Sequence, residues 1–99
     1  MFEFIFDEEN RIVKLKGRVG GKASIDFYRR TKEIIDTTRG DLIIDFSETK
    51  FIDSSGLGGL VAINTTMLKN KRILSLRNVS GDLGELLKQT NLDKAIKII

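Results

Sequence analysis

The near-continuous apolar run Leu42-Ile43-Ile44-Asp45-Phe46 constrains this chain more than any other stretch. A run of that length suits a strand covered on both faces, as in a parallel sheet. Parallel neighbours need crossover connections, and helix-compatible segments flank the run on either side. Upstream, Phe27, Tyr28, Thr31, Ile34, Ile35 and Thr38 follow the i, i+3/i+4 spacing of one buried helix face. Ser24 or Asp26 is the expected N-cap of that helix, which reaches about Thr38. Downstream, about Ser55 to Lys69 presents Leu57, Leu60, Val61, Asn64, Met67 and Leu68 on one side. Asn70 stands where a left-handed C′ residue is expected.

The remaining elements fall around this centre. Phe2 to Phe6 and Arg11 to Lys16 read as two strands joined across Glu8-Glu9-Asn10 into an N-terminal hairpin. The glycines of Gly17-Arg18-Val19-Gly20-Gly21 are expected to end the second strand, and Arg39-Gly40-Asp41 closes the first helix. Arg72 to Leu76 reads as a further strand. Ser80 or Asp82 then caps a third helix, with Leu83, Leu86, Leu87 and Thr90 inward, and Ala95 to Ile99 is a last short strand. The order β-β-α-β-α-β-α-β predicts an α/β fold: one domain over residues 1–99, with a mixed, largely parallel sheet and flanking helices.

Composition removes several classes of chemistry. The chain has no cysteine, which excludes disulfides, thiolate zinc sites and cysteine nucleophiles. It has no histidine, so the commonest metal ligand and the usual base of a serine nucleophile are absent. No apolar run approaches the ~18 residues a membrane span needs. Met1-Phe2-Glu3-Phe4-Ile5-Phe6-Asp7 has no basic region or cleavage pattern of a signal peptide, so a cytoplasmic location is expected. The net charge of +3 is spread along the chain rather than blocked.

Polar, hydroxyl-bearing and glycine residues concentrate where the core strand hands over to the next helix, in Phe51-Ile52-Asp53-Ser54-Ser55-Gly56-Leu57-Gly58-Gly59-Leu60. In α/β sheets that edge is where sites collect. Asp and Ser are preferred N-caps because their oxygens satisfy orphan backbone N–H groups. Capping needs one such residue, yet three stand in a row, so one hydroxyl is spare. Gly56, Gly58 and Gly59 each cost ~1 kcal/mol against Ala in a helix interior. That cost makes sense if another backbone or a nucleotide comes close, or if the helix sits tightly on the sheet at Gly59 or Ala62.

Enzyme readings of this stretch are poor. A serine nucleophile lacks a base, and no S-x-x-K motif is present, because Gly58 stands where Lys would be needed after Ser55. Gly20-Gly21-Lys22-Ala23-Ser24 departs from a phosphate-binding loop at Lys16 and Ala23. Asp41, Asp45 and Asp53 are expected at strand ends near one sheet edge, where a divalent ion is conceivable, although each also has a structural use there. Arg29, Arg30, Lys32, Lys69, Lys71 and Arg72 could line a nucleic-acid surface, but no stacking platform or recognition helix accompanies them. No cofactor or metal is implied.

The string Leu42 to Phe46 followed by Phe51-Ile52-Asp53-Ser54-Ser55-Gly56-Leu57-Gly58 resembles the STAS domain, and more closely the bacterial anti-sigma factor antagonists. Leu86-Leu87-Lys88-Gln89-Thr90-Asn91-Leu92 is similar to the family's C-terminal pattern, with Asn91 where Gly is usual. The resemblance implies that Ser55 accepts a phosphoryl group from a serine kinase that is itself the anti-sigma factor. The unphosphorylated antagonist would bind that kinase and free a sigma factor, and a serine/threonine phosphatase would reset the phosphorylated form. Implied partner-binding residues are Gly20, Asp53, Ser54, Gly56, Leu57, Gly58 and Leu60, on a protein expected to be monomeric when free. It would touch neither nucleic acid nor membrane.

Two alternatives stay open: a STAS scaffold in a transport or sensory complex that is never phosphorylated, and a nucleotide-binding domain using the same helix N-terminus. The loop after the second strand departs from the family. It is often Gly-Glu-Leu-Asp and here reads Gly17-Arg18-Val19-Gly20, with a positive charge in place of a negative one. Asn70 and Asn91 stand for glycines, as Asn tolerates the left-handed conformation.

Overall fold

The computed structural model describes residues 1–79 and 81–99. Its elements are β1 (Phe2–Asp7), β2 (Ile12–Val19), α1 (Lys22–Thr37), β3 (Leu42–Ile52), α2 (Ser54–Lys69), β4 (Leu74–Arg77), α3 (Gly81–Gln89), α4 (Leu92–Ala95) and β5 (Lys97–Ile98). They build one five-stranded sheet in the spatial order β1-β2-β3-β4-β5. β1 pairs antiparallel with β2, and the other neighbours are parallel. The expected α/β domain with an N-terminal hairpin and a mixed, largely parallel sheet is what forms. The short helix α4 was not foreseen, and the expected last strand shrinks to two residues.

The core is one-sided. Val13, Leu15, Leu42, Ile44, Phe46, Leu74 and Leu76 alternate along β2, β3 and β4 and are buried with Leu60, Ile63, Met67, Leu83 and Leu87 of the helices. The residues between them carry polar pairing instead. Lys14 Nζ lies 2.9 Å from Glu48 Oε2, and Arg77 Nη2 lies 2.8 Å from Asp45 Oδ2. Lys14 is about two-fifths exposed, and Ile43 is only half-buried. Cover on both faces of β3, expected from its apolar run, is therefore not found. The run reads as continuous because Ile43 is apolar while standing on the polar face.

β3 is twice as long as expected. Ser47 to Lys50, beyond the expected strand Leu42 to Phe46, stay in β3, and β2 runs on through Gly17 to Val19 rather than ending at it. Two register shifts, between Lys14 and Lys16 and between Lys16 and Arg18, bulge the β2–β3 pairing. Bulges break side-chain alternation, which is why this stretch read as irregular. Gly17 sits at φ 88, where the carbonyl of Met1 fills the space a Cβ would need.

The helix ends also differ from expectation. α1 starts three to five residues early, capped at Gly21 (φ 57) rather than at Ser24 or Asp26, which both lie inside it. α2 buries Gly56, Leu60, Ile63, Asn64 and Met67, while Val61 and Leu68 are exposed. This segment is apolar on most sides, so periodicity alone could not set its phase. Its C-cap Asn70 has φ −95, and the left-handed residue is Lys71 at φ 58. The Arg72 N–H donates to Met67 O and the Lys71 N–H to Leu68 O, a Schellman closure one residue later than expected. Asn91 does take the left-handed conformation, at φ 59. Asp82 lies in the first turn of α3, and Ser80 falls outside the described residues.

Candidate functional site

At the C-terminal end of β3 the chain turns into α2 through Asp53, whose extended backbone (φ −88, ψ 179) is that of an N-cap. Its N–H donates to Val19 O at 2.9 Å, which keeps the turn registered against the end of β2. Its carboxylate does more than cap. Oδ1 accepts from Gly56 N at 2.8 Å and from Ser24 Oγ at 2.7 Å, and Oδ2 accepts from Gly21 N at 2.9 Å. One carboxylate thus ties together the first turns of α1 and α2. The bond from Ser24, then those from the Gly21 and Gly56 backbones, hold its carboxyl below the usual range. Negative charge is also favoured where two helix N-termini meet.

Gly21 and Ser24 were not recognised as parts of this site. Ser24 looks like a cap from sequence, but it is buried and donates across to Asp53, 29 positions away in the chain. No local pattern reports a bond at that separation.

Because Asp53 caps α2, Ser54 and Ser55 at the first two helical positions are both exposed and neither is needed for capping. The spare hydroxyl expected from sequence is present. Ser55 borders a shallow apolar groove of about 330 Å³ between α1 and α2, lined by Ser24, Ile25, Tyr28, Gly59 and Ala62. Ile25 is exposed on its rim. Gly59 lets the helices close on each other, since a Cβ there would stand 3.4 Å from Cβ of Tyr28. The groove joins residues far apart in sequence.

The other expected contact residues divide. Gly58 is exposed, and a Cβ added there would meet nothing within 4 Å; Leu57 is half-buried. Gly56 faces inward, where a methyl would clash with Cγ1 of Ile52 and lie 3.2 Å from Cγ1 of Val19. Leu60 is 1% exposed and belongs to the core, so neither residue offers a partner a side-chain surface. Gly56 is bare for internal packing, which removes one reason to imagine a nucleotide against it. Gly20 lies behind Phe51 and Asp53, where a Cβ would come 3.3 Å from Phe51 Cε2. Arg18, the residue that departs in charge, stacks its guanidinium 3.9 Å from the Phe51 ring centroid.

The carboxylates do not converge. Asp41 and Asp53 flank opposite ends of β3, and Asp41 Oδ1 accepts from Ile73 N. Burial disfavours the charge of Asp45, but bonds from Arg77, the Ser47 backbone and Asn78 outweigh it and hold its carboxyl well below the usual range. Among the described residues no three acidic side chains form a metal-ligand group. Several of the basic residues are occupied: Arg29 and Arg30 pair with Asp26, and Lys32 pairs with Asp36. Arg72 donates to Gly40 O and Ile35 O, closing the end of α1. No described helix is long and apolar enough to cross a membrane.

This fold is shared with known proteins. An anti-sigma factor antagonist from Mycobacterium paratuberculosis superposes with a TM-score of 0.87 at 17% identity, over 99% of this chain and 85% of that one. The Bacillus cell fate determinant SpoIIAA in its phosphorylated form gives 0.74 at 17% identity, over 100% and 91%. A sulfate transporter family protein from Wolinella succinogenes gives 0.75 at 21% identity, over 89% and 74%. The family model of the STAS domain matches residues 2–99, nearly the whole chain with the Asp53 turn inside it, and the chain belongs to the STAS domain family.

Proposed function

We propose that this STAS domain is an anti-sigma factor antagonist, a non-enzymatic regulatory module in the cytoplasm switched by phosphorylation of Ser55. The observation that carries the reading is the exposed Ser55 hydroxyl, free of capping duty and set on the rim of an apolar groove. In the unphosphorylated form the groove, Gly58 and Leu57 meet a serine kinase that is also the anti-sigma factor, which then releases its sigma factor. Asp53 holds the turn in shape for that contact, and Ser54, exposed beside Ser55, is part of the contact surface.

A phosphoryl group on Ser55 brings about −1.5 to −2 of charge. The helix N-terminus tolerates it by offsetting the repulsion from Asp53, while a docked partner does not. A serine/threonine phosphatase restores the binding form. Arg18 on Phe51 beside the turn favours a kinase with acidic side chains at this end of its docking face.

Phosphosite mapping by mass spectrometry on protein recovered from its own cells, beside a Ser55→Ala control, tests the reading. A phosphoryl group on Ser55, absent from the control, is the expected result. A population unmodified under both growth and stress conditions would overturn it. The fold likeness to a sulfate transporter family protein supports a second reading, a constitutive scaffold within a larger assembly. There, partner binding would be indifferent to Ser55→Asp.

A further inference from the structure

We propose that the outer edge of β1 pairs with the β1 strand of a second copy of this chain, joining two five-stranded sheets into one of ten strands. The two edges of the sheet are not alike. β5 is two residues long and is blunted by its shortness. β1 has six residues, Phe-Glu-Phe-Ile-Phe-Asp, and among the described residues no strand pairs with its outer side. It contains neither Pro nor Lys, two common guards of a free edge.

The faces of β1 support the same partner. Phe2, Phe4 and Phe6 pack against the core and remain only half-buried. Beside them a groove of about 420 Å³ opens between β1 and α1, lined by Phe4, Phe6, Arg30, Glu33 and Ile34. Arg30 and Arg11 lie 5.7 Å from the Phe4 and Phe6 ring centroids, a loose cover. A neighbouring strand carrying the same aromatic stripe would continue the core across the edge.

Register selects a second copy. A two-fold axis normal to the sheet keeps both cores on one side and allows only pairings of equal parity. Centred on Phe4, Phe4 faces Phe4 of the partner subunit, Phe2 faces Phe6 of the partner subunit, and Glu3 faces Ile5 of the partner subunit. Aromatic pairs are then directly opposed, and no like charges meet. Centring on Glu3 opposes two glutamates, and centring on Ile5 opposes Glu3 to Asp7 of the partner subunit. Of the registers that pair five residues of β1 on each copy, only the one centred on Phe4 opposes no like charges. The Asp53 turn is not on this edge, so its docking surface stays open in both copies. The proposed dimer departs from the free monomer expected from sequence.

Sedimentation equilibrium on the 99-residue chain tests the inference. The expected result is a concentration-dependent rise from 11.2 kDa to twice that mass. Ile5→Glu sets a carboxylate opposite Glu3 of the partner subunit at two symmetric places and should weaken the dimer about tenfold or more. Glu3→Lys added to Ile5→Glu makes both pairs attractive and should restore it. Glu3 and Ile5 are exposed, so thermal unfolding should report an intact fold in both variants. A monomer up to millimolar concentration, a dimer indifferent to Ile5→Glu, or no rescue by Glu3→Lys would each overturn the proposal.

Discussion

Gly56 and Gly58 look equivalent in sequence and are not equivalent in space. A methyl at 56 runs into Ile52 beneath the first turn of α2, whereas one at 58 meets open solvent. Gly56→Ala should therefore destabilise the protein by about 1–3 kcal/mol through overpacking, lowering Tm by several degrees. Gly58→Ala should stabilise it by about 0.5–1 kcal/mol through helix propensity. Thermal denaturation of the two variants reads both signs. Asp53→Asn should lower Tm, because the carboxylate accepts from two helix ends and Ser24. Asp53 itself was legible as a cap. Its reach to Gly21 and Ser24 was not, because the bond depends on how two helices meet.

The elements hold one another through groups at their ends. Arg72, just after α2, donates to Gly40 O at 2.7 Å and to Ile35 O at 2.8 Å, and so fastens the end of α1 to the start of β4. Arg72→Ala should cost about 1–3 kcal/mol, measured by urea unfolding. Lys should rescue little, since an ammonium cannot match two directed bonds from a planar guanidinium.

On the polar sheet face, Asp45 bridges β3 to β4 through Arg77. Its folded-state carboxyl is held low, so the stability it contributes is fully present above the ordinary range near ~3.9. That contribution is lost as pH falls through the depressed value. Asp45→Asn should lower stability at neutral pH and flatten the acid limb of a stability–pH curve. Strand and helix order was readable at this scale from periodicity. The length of β3 was not, because two bulges hide the alternation by which a strand is recognised.

For the whole molecule, the proposed switch at Ser55 requires no refolding. Ser55 is exposed at the second position of α2, beside but not inside the core. Ser55→Asp should leave Tm within a few degrees of wild type, because helix-dipole attraction and repulsion from Asp53 oppose each other. Its binding to the proposed kinase partner should still fall by about a hundredfold, the effect of ~3 kcal/mol at a desolvated contact. Calorimetry on the protein alone and titration with the kinase separate the two effects. Ile25→Asp, on the groove rim, should weaken docking with Tm little changed, since Ile25 is 63% exposed.

Local physics written into the chain determined the order of the strands and the three longer helices, the α/β class, the capping Asp53 and the spare serine beside it. Each rests on neighbours a few positions apart: apolar spacing, a capping oxygen, a glycine at a turn. The tertiary structure decided which faces those elements present. It put Leu60 and Gly56 inside, turned Ile25 and Tyr28 toward Ser55, and left one face of β3 to ion pairs. Those outcomes depend on register and helix phase, which are set when distant segments pack, and α2 is too evenly apolar to announce its own.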